Sequence, residues 1–157
     1  MSEKAKLLWE SMLDADMNAR YWGHLARRYE RREMRIKVFL AATSSVTVAG
    51  WVLWKHAPLF WQVLSGISAL LAIALPILNY SQRIAIMADL RAKWMHLRVE
   101  YDRLWAEWSS APEAQPDPIL RLLKAREIEF SKVEATLPRD PKLIRQCQRE
   151  VRASRGI

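Results

Sequence analysis

One cysteine, Cys147, stands among the 157 residues of this chain, so no internal disulfide framework holds it together and a reducing compartment suits it. Glycine and proline are scarce, 4 and 7 residues, which argues against a loop-rich all-β chain or a disordered one. Catalytic signatures are missing as well. The three histidines, His24, His56 and His96, are far apart and have no acidic or cysteine partner at ligand spacing. Ser44 and Ser45 lie in an uncharged run with no histidine or carboxylate beside them, so no nucleophilic triad is expected. There is no GxxxxGKS/T phosphate loop, no GxGxxG after a strand and no HExxH. Cys147 has Arg145 and Arg149 nearby, which would favour a thiolate, but inert packing is the plainer expectation. An enzyme is not expected, and no catalytic, metal or cofactor residue is assigned.

Charge itself is missing from two stretches. Between Lys37 and Lys55 lie 17 uncharged residues, and from His56 to Gln82 a further 27, counting histidine as neutral. A bilayer core about 30 Å thick takes roughly 20 apolar residues in a helix, with about 17 as a lower limit. The second run qualifies easily, and the first reaches 19 residues when Ile36 and a snorkelling Lys37 are included. The alternative is a buried core hairpin in a soluble bundle. It would need other helices to cover both runs on every side, and the remaining segments are strongly charged. Two spans, about 36–54 and 59–81, are therefore expected. Trp51, Trp54, Phe60 and Trp61 cluster at the break between them, where an interfacial aromatic belt would lie. About 35 mostly polar residues precede the first run, so a cleavable leader is not expected.

What is present is positive charge, net +8. Arg27, Arg28, Arg31, Arg32, Arg35 and Lys37 precede the first span, and Arg83, Arg91 and Lys93 follow the second, while the connecting loop carries only Lys55. The positive-inside rule then places both termini in the cytoplasm of a multi-pass protein of the inner (plasma) membrane. Apart from Lys37 at the edge of the first span, no charged residue lies within either span, which argues against a proton-coupled transporter.

The charged helices on either side carry their own pattern. Leu8, Met12, Ala15, Ala19, Trp22, Ala26 and Tyr29 follow one another at alternating spacings of four and three, and Met87, Leu90, Trp94, Leu97, Tyr101, Leu104 and Trp108 do the same. Each is a seven-residue seam of the kind that packs helix lengthwise on helix. Trp22, Trp94 and Tyr101 are the seam residues singled out, with Arg98 outside the seam, and each helix is expected to run unbroken through the membrane boundary. Within the spans, Ala41, Ser45 and Ala49 with Thr43 and Thr47, and Ser65, Ala69 and Asn79, form tracks of small or weakly polar residues. Such tracks allow close helix contact in lipid. They serve either the packing of one hairpin or the association of several hairpins around a pore, and Pro76 would kink the second helix.

The expected fold class is all-α: a membrane hairpin whose two long helices extend into the cytoplasm as an antiparallel coiled stem, plus two shorter C-terminal helices. Residues 1–110 form the hairpin and stem, 111–118 a Pro-rich linker, and 119–157 a basic helical tail. From 117 onward the chain holds 10 Lys and Arg against 6 Asp and Glu. Asp117–Pro118 looks like a helix start, with a buried face of Ile119, Leu123, Phe130, Val133 and Leu137, and Asp140–Pro141 like a second start running to about Arg152. The tail either folds back on the stem or presents a contact surface.

The stretches ADMNARYWGHLARRYERREMRIKVFLAATSSVTV and ILNYSQRIAIMADLRAKWMHLRVEYDRLW, around a tight hairpin, resemble the SLATT family in layout and texture over residues 1 to about 137. The resemblance implies a membrane effector of a bacterial anti-phage defence system, which oligomerises and permeabilises the inner membrane when a partner sensor triggers it. The implied upstream partner is of a nucleotide-signalling or reverse-transcriptase type. The lipid bilayer and further copies of the chain are the expected partners, no cofactor is implied, and direct nucleic acid binding is not expected. The competing expectation is a two-span anchor whose cytoplasmic helices recruit a protein or nucleic-acid partner.

Overall fold

A computed structural model describes residues 3–53, 58–110 and 117–156, with the side chains of 44–53, 58, 60, 61 and 117 outside the description. The described residues form five helices and no strand: α1 (Glu3–Leu53), α2 (Pro58–Leu78), α3 (Tyr80–Ser110), α4 (Asp117–Glu134) and α5 (Pro141–Arg155). The Pro-rich segment expected as a linker, 111–118, lies outside the described residues up to position 116.

Helix α1 runs for 51 residues without interruption. No proline interrupts that stretch, and Gly23, inside it, is buried where a Cβ would come 3.0 Å from the Arg91 Nε. The second long helix breaks, against the expectation of continuity. Helix α2 ends at Leu78, and Asn79 takes a left-handed conformation, φ 48°, before α3 begins. Proline at 76 lacks the N–H that would bond back one turn, and asparagine is among the few residues that tolerate the left-handed region. The Asn79 side-chain amide donates to Gln82, and the Arg83 N–H donates to the Asn79 carbonyl at 3.2 Å, so the new helix starts on the residue that broke the old one.

The chain divides into two compact units, Met1–Ala26 with Ala85–Ile157, and Arg27–Ile84. In the first unit, Leu8, Met12, Ala15, Ala19, Trp22 and Ala26 of α1 and Met87, Leu90, Trp94, Leu97, Tyr101 and Leu104 of α3 are all buried. The two helices meet at a repeated interval: Trp9 rings against Trp105 (5.2 Å between centroids), Asp16 pairs with Arg98 (3.3 Å), and Gly23 faces Arg91. These pairs are seven residues apart on both helices and run in opposite directions. Leu120, Leu123 and Leu137 from the α4 segment, and Leu143, Cys147 and Val151 from α5, complete the core. Of the face expected for α4, Leu123 and the following Leu137 are buried and Phe130 and Val133 half-buried, whereas Ile119 is 46% exposed and Leu120 takes its place inside. Thus the C-terminal segment folds onto the α1–α3 pair, the first of the two alternatives open for it.

The second unit holds the rest of α1, all of α2 and the start of α3. Tyr29 packs on Tyr80 at 5.7 Å, and the Ser81 hydroxyl donates to Glu33 Oε1 at 2.8 Å, which Lys37 also approaches at 2.8 Å. Beyond these contacts, α2 turns many of its large side chains outward. Leu59, Val63, Ile67, Leu70, Ile73 and Ile77 are all exposed.

Candidate functional site

The seam aromatics of the first unit carry polar atoms into an apolar interior, and each atom needs a partner there. Helix α4 supplies them. The indole N–H groups of Trp22 and Trp94, one from α1 and one from α3, both donate to Glu134 Oε1, at 2.8 and 2.6 Å. One helical repeat earlier, Glu127 Oε1 accepts from the Tyr101 hydroxyl at 2.6 Å, while its other oxygen pairs with Lys124 at 2.8 Å. Burial and the bond to Glu127 push the Tyr101 hydroxyl well above the ordinary phenol range, so it stays a proton donor. Between the two glutamates in sequence, Phe130 packs edge-on to Trp94 at 5.4 Å.

A second polar cluster ties in α5. Asp16 is buried, 2% exposed in its side chain, and is approached by Arg20 (2.9 Å), Arg98 (3.3 Å) and Arg155 (3.9 Å), which belong to three different helices. Arg155 also pairs with Asp102 at 2.9 Å, and Arg98 with Asp102 at 3.4 Å. Arg98 is therefore no neutral position on the outside of the seam. It neutralises a buried carboxylate.

Helix α5 begins as its sequence predicts. Asp140 caps it by accepting from the N–H groups of Lys142 and Leu143, and the Asp140 N–H donates to the Tyr21 hydroxyl oxygen at 2.9 Å. Its inner face buries Cys147, and its outer face exposes Lys142, Arg145, Gln148, Arg149 and Arg152 in one basic concavity. His24, expected to lack acidic or cysteine partners, gains both through this packing. Its Nε2 lies 3.2 Å from Glu150 Oε2, and the Cys147 thiol is close by. Glu150 is 126 residues away along the chain and Cys147 three fewer, distances that no spacing rule spans.

In the second unit, the candidate track residues distribute unevenly. Thr43 is buried, and its hydroxyl donates back to the carbonyls of Phe39 and Leu40 at 3.0 and 3.1 Å, a common way to satisfy a hydroxyl on an apolar helix. Ser68 does the same to Leu64 at 2.9 Å. Ala41, Ser65, Ala69 and Asn79 are exposed. The side chains of Ser45, Thr47 and Ala49 lie outside the described residues, as do those of the interfacial tryptophans Trp51, Trp54 and Trp61. Arg27, Arg28, Arg31, Arg32 and Arg35 are exposed along α1, and the Arg32 guanidinium lies 5.8 Å from the Tyr29 ring centre.

One helical stretch among the described residues is long and apolar enough to cross a membrane. It lies within Gln62–Ser110 and contains a window of mean hydropathy 1.9 with none of its residues buried. No known protein family, curated protein or solved structure matches this chain.

Proposed function

We propose that this protein is a membrane effector of the kind its resemblance to the SLATT family implies. In this reading residues of about 36–54 and 59–81 cross the inner membrane with both termini in the cytoplasm. The first unit is a cytoplasmic stem and tail, built on an antiparallel α1–α3 coil. Copies associate through the small-residue tracks and permeabilise the bilayer when a partner sensor acts on the stem. No substrate is turned over.

The observation that carries this reading is the outward apolar surface of α2. Six large aliphatic side chains from Leu59 to Ile77 are exposed. Leaving each in water forgoes about 1.5–3 kcal/mol of burial, a cost that lipid or a second copy removes. The charge asymmetry about the two apolar runs supports the orientation. A second reading, a membrane anchor for an anionic partner, draws on the basic outer face of α5.

Ser45→Leu separates them. It keeps the first span apolar while widening the track through Ala41, Ser45 and Ala49, so insertion persists and oligomerisation falls. The experiment measures growth and membrane potential in cells that express the wild type or the variant with its native neighbouring genes under triggering conditions. The effector reading expects depolarisation by wild type and its loss in Ser45→Leu, with Leu53→Ile nearly silent. An anchor would leave the potential unchanged in both, and deleting it would release a partner into the cytosol.

A further inference from the structure

We infer that His24, Cys147 and Glu150 form a divalent-metal site of zinc-like preference, which pins α5 to α1. The three ligand atoms, an imidazole nitrogen, a thiol sulfur and a carboxylate oxygen, lie within 4.8 Å of one another. They are the three side-chain donor types that zinc takes. Zinc bonds of about 2.0–2.3 Å make the edges of a tetrahedron about 3.3–3.6 Å. The His24 Nε2 to Glu150 Oε2 distance, 3.2 Å, is already such an edge. Bringing the sulfur to the same separation takes a shift of about 1 Å, within the reach of a side-chain rotation.

The surroundings fit the assignment. Cys147 and Glu150 are three residues apart on α5 and so share a face, while His24 comes from α1. Gln146 donates from Nε2 to Glu150 Oε1 at 2.8 Å, which fixes the carboxylate and leaves its other oxygen toward His24. Ligand carboxylates are commonly held by such a neighbour. The sulfur is fully buried, and the histidine and the carboxylate are half-buried, so a cation has an approach from solvent. A cation close enough to compete is Arg20, which feels the charge of both Glu150 and Cys147. Its guanidinium is already directed to Asp16, at 2.9 and 3.3 Å, and to Ser154 at 3.1 Å. Three protein ligands leave a fourth position for water, and binding releases the Cys147 proton to solvent.

The test uses the full chain in detergent, stripped with a chelator and titrated with Co²⁺ as a spectroscopic probe, then with Zn²⁺. The expected result is one equivalent of Co²⁺ bound with a near-ultraviolet thiolate-to-cobalt absorption that Zn²⁺ displaces. Cys147→Ser removes that absorption, and His24→Gln and Glu150→Gln each weaken binding at least tenfold with helicity unchanged. Zn²⁺ raises the Tm of the wild type and leaves that of Cys147→Ser where it was. Absence of a saturable thiolate absorption in the wild type overturns the site. So does equal Co²⁺ affinity in wild type and Cys147→Ser, which would mark adventitious binding at surface carboxylates and histidines.

Discussion

The two units of this chain treat the apolar faces of their helices in two opposite ways. In Met1–Ala26 every seventh-residue pattern of apolar side chains ends inside the protein, covered by α3, α4 and α5. In Arg27–Ile84 Leu59, Val63, Ile67, Leu70, Ile73 and Ile77 of α2 end outside it. The charged residues differ correspondingly. In the first unit, carboxylates such as Asp16, Glu127 and Glu134 are drawn inward and answered by arginine, tyrosine and tryptophan donors. In the second, Glu33 is answered at the surface by Lys37 and Ser81, which hold its carboxyl below the usual range. Helical periodicity by itself therefore does not say where an apolar face goes. What decides is whether enough chain is available to cover it, and α4 and α5 are spent on the first unit.

That contrast can be broken by substitution, beginning with the most severe. Trp94→Asp removes a buried ring and sets a carboxylate beside Glu134. Large-to-small core changes cost about 3–5 kcal/mol before the charge is counted, so little folded protein is expected. On the same helix Val99, 57% exposed, accepts aspartate within about 0.5 kcal/mol. Urea unfolding of the purified chain compares the two, and equal losses would remove the seam from the account. Arg98→Asp is expected to fall nearer Trp94→Asp than Val99→Asp, because it sets a second carboxylate against Asp16.

Next in size is the loss of a buried acceptor. Glu134→Leu leaves two indole N–H groups without a partner, each costing about 1–3 kcal/mol, whereas Glu134→Gln keeps an acceptor and loses less. If both variants unfold at the same urea concentration, the carboxylate is not what fastens α4. In the second unit the comparison reverses. Ile73→Asp is expected to cost about 3 kcal/mol of membrane insertion and to leave the helicity of the first unit intact. Alkaline-extraction fractionation measures the former, and circular dichroism the latter.

The smallest effect is a pH limb. The Tyr101 phenol is raised in the folded chain, so its contribution is complete below the ordinary tyrosine value of about 10 and is lost as pH rises above it. Tyr101→Phe should cost about 1 kcal/mol near neutrality and flatten the decline in stability above pH 10 relative to wild type. Parallel declines in the two proteins would mean that other groups carry the alkaline limb.

Much of the architecture was legible because it rests on local rules. Asp140–Pro141 announces α5 through a side-chain cap and a residue that needs no N–H, and the alternating three-and-four spacing from Leu8 and Met87 marks the buried stripes. The break at Asn79 escaped, because a proline within an apolar run reads as a kink at 76 and the left-handed residue three positions on leaves no periodic trace. In α4 the stripe was right at Leu123 and Leu137 and wrong at its first position, Ile119 for Leu120, since adjacent aliphatics at a helix start leave the choice between neighbours open. Nothing in the sequence sets the acceptors Glu127 and Glu134 apart from the other charges of α4. Tryptophan and tyrosine in a seam do signal that acceptors must exist, but not which ones. The meeting of His24 with Cys147 and Glu150 depends on α5 folding back across the chain, and only tertiary structure makes it.

The claim on which the rest hangs is that the uncovered second unit lies in a bilayer with its loop outside. Cys147 cannot report the inner side, because it is fully buried whichever side it occupies. The direct measurement places single cysteines at Ala57, between the two apolar runs, and at Ala153, exposed on α5, each in a Cys147→Ser background, and treats cells with a membrane-impermeant maleimide. The account predicts that Ala57→Cys is labelled in intact cells and Ala153→Cys only after permeabilisation. Labelling of Ala153→Cys in intact cells, or of neither until the membrane is opened, would contradict it.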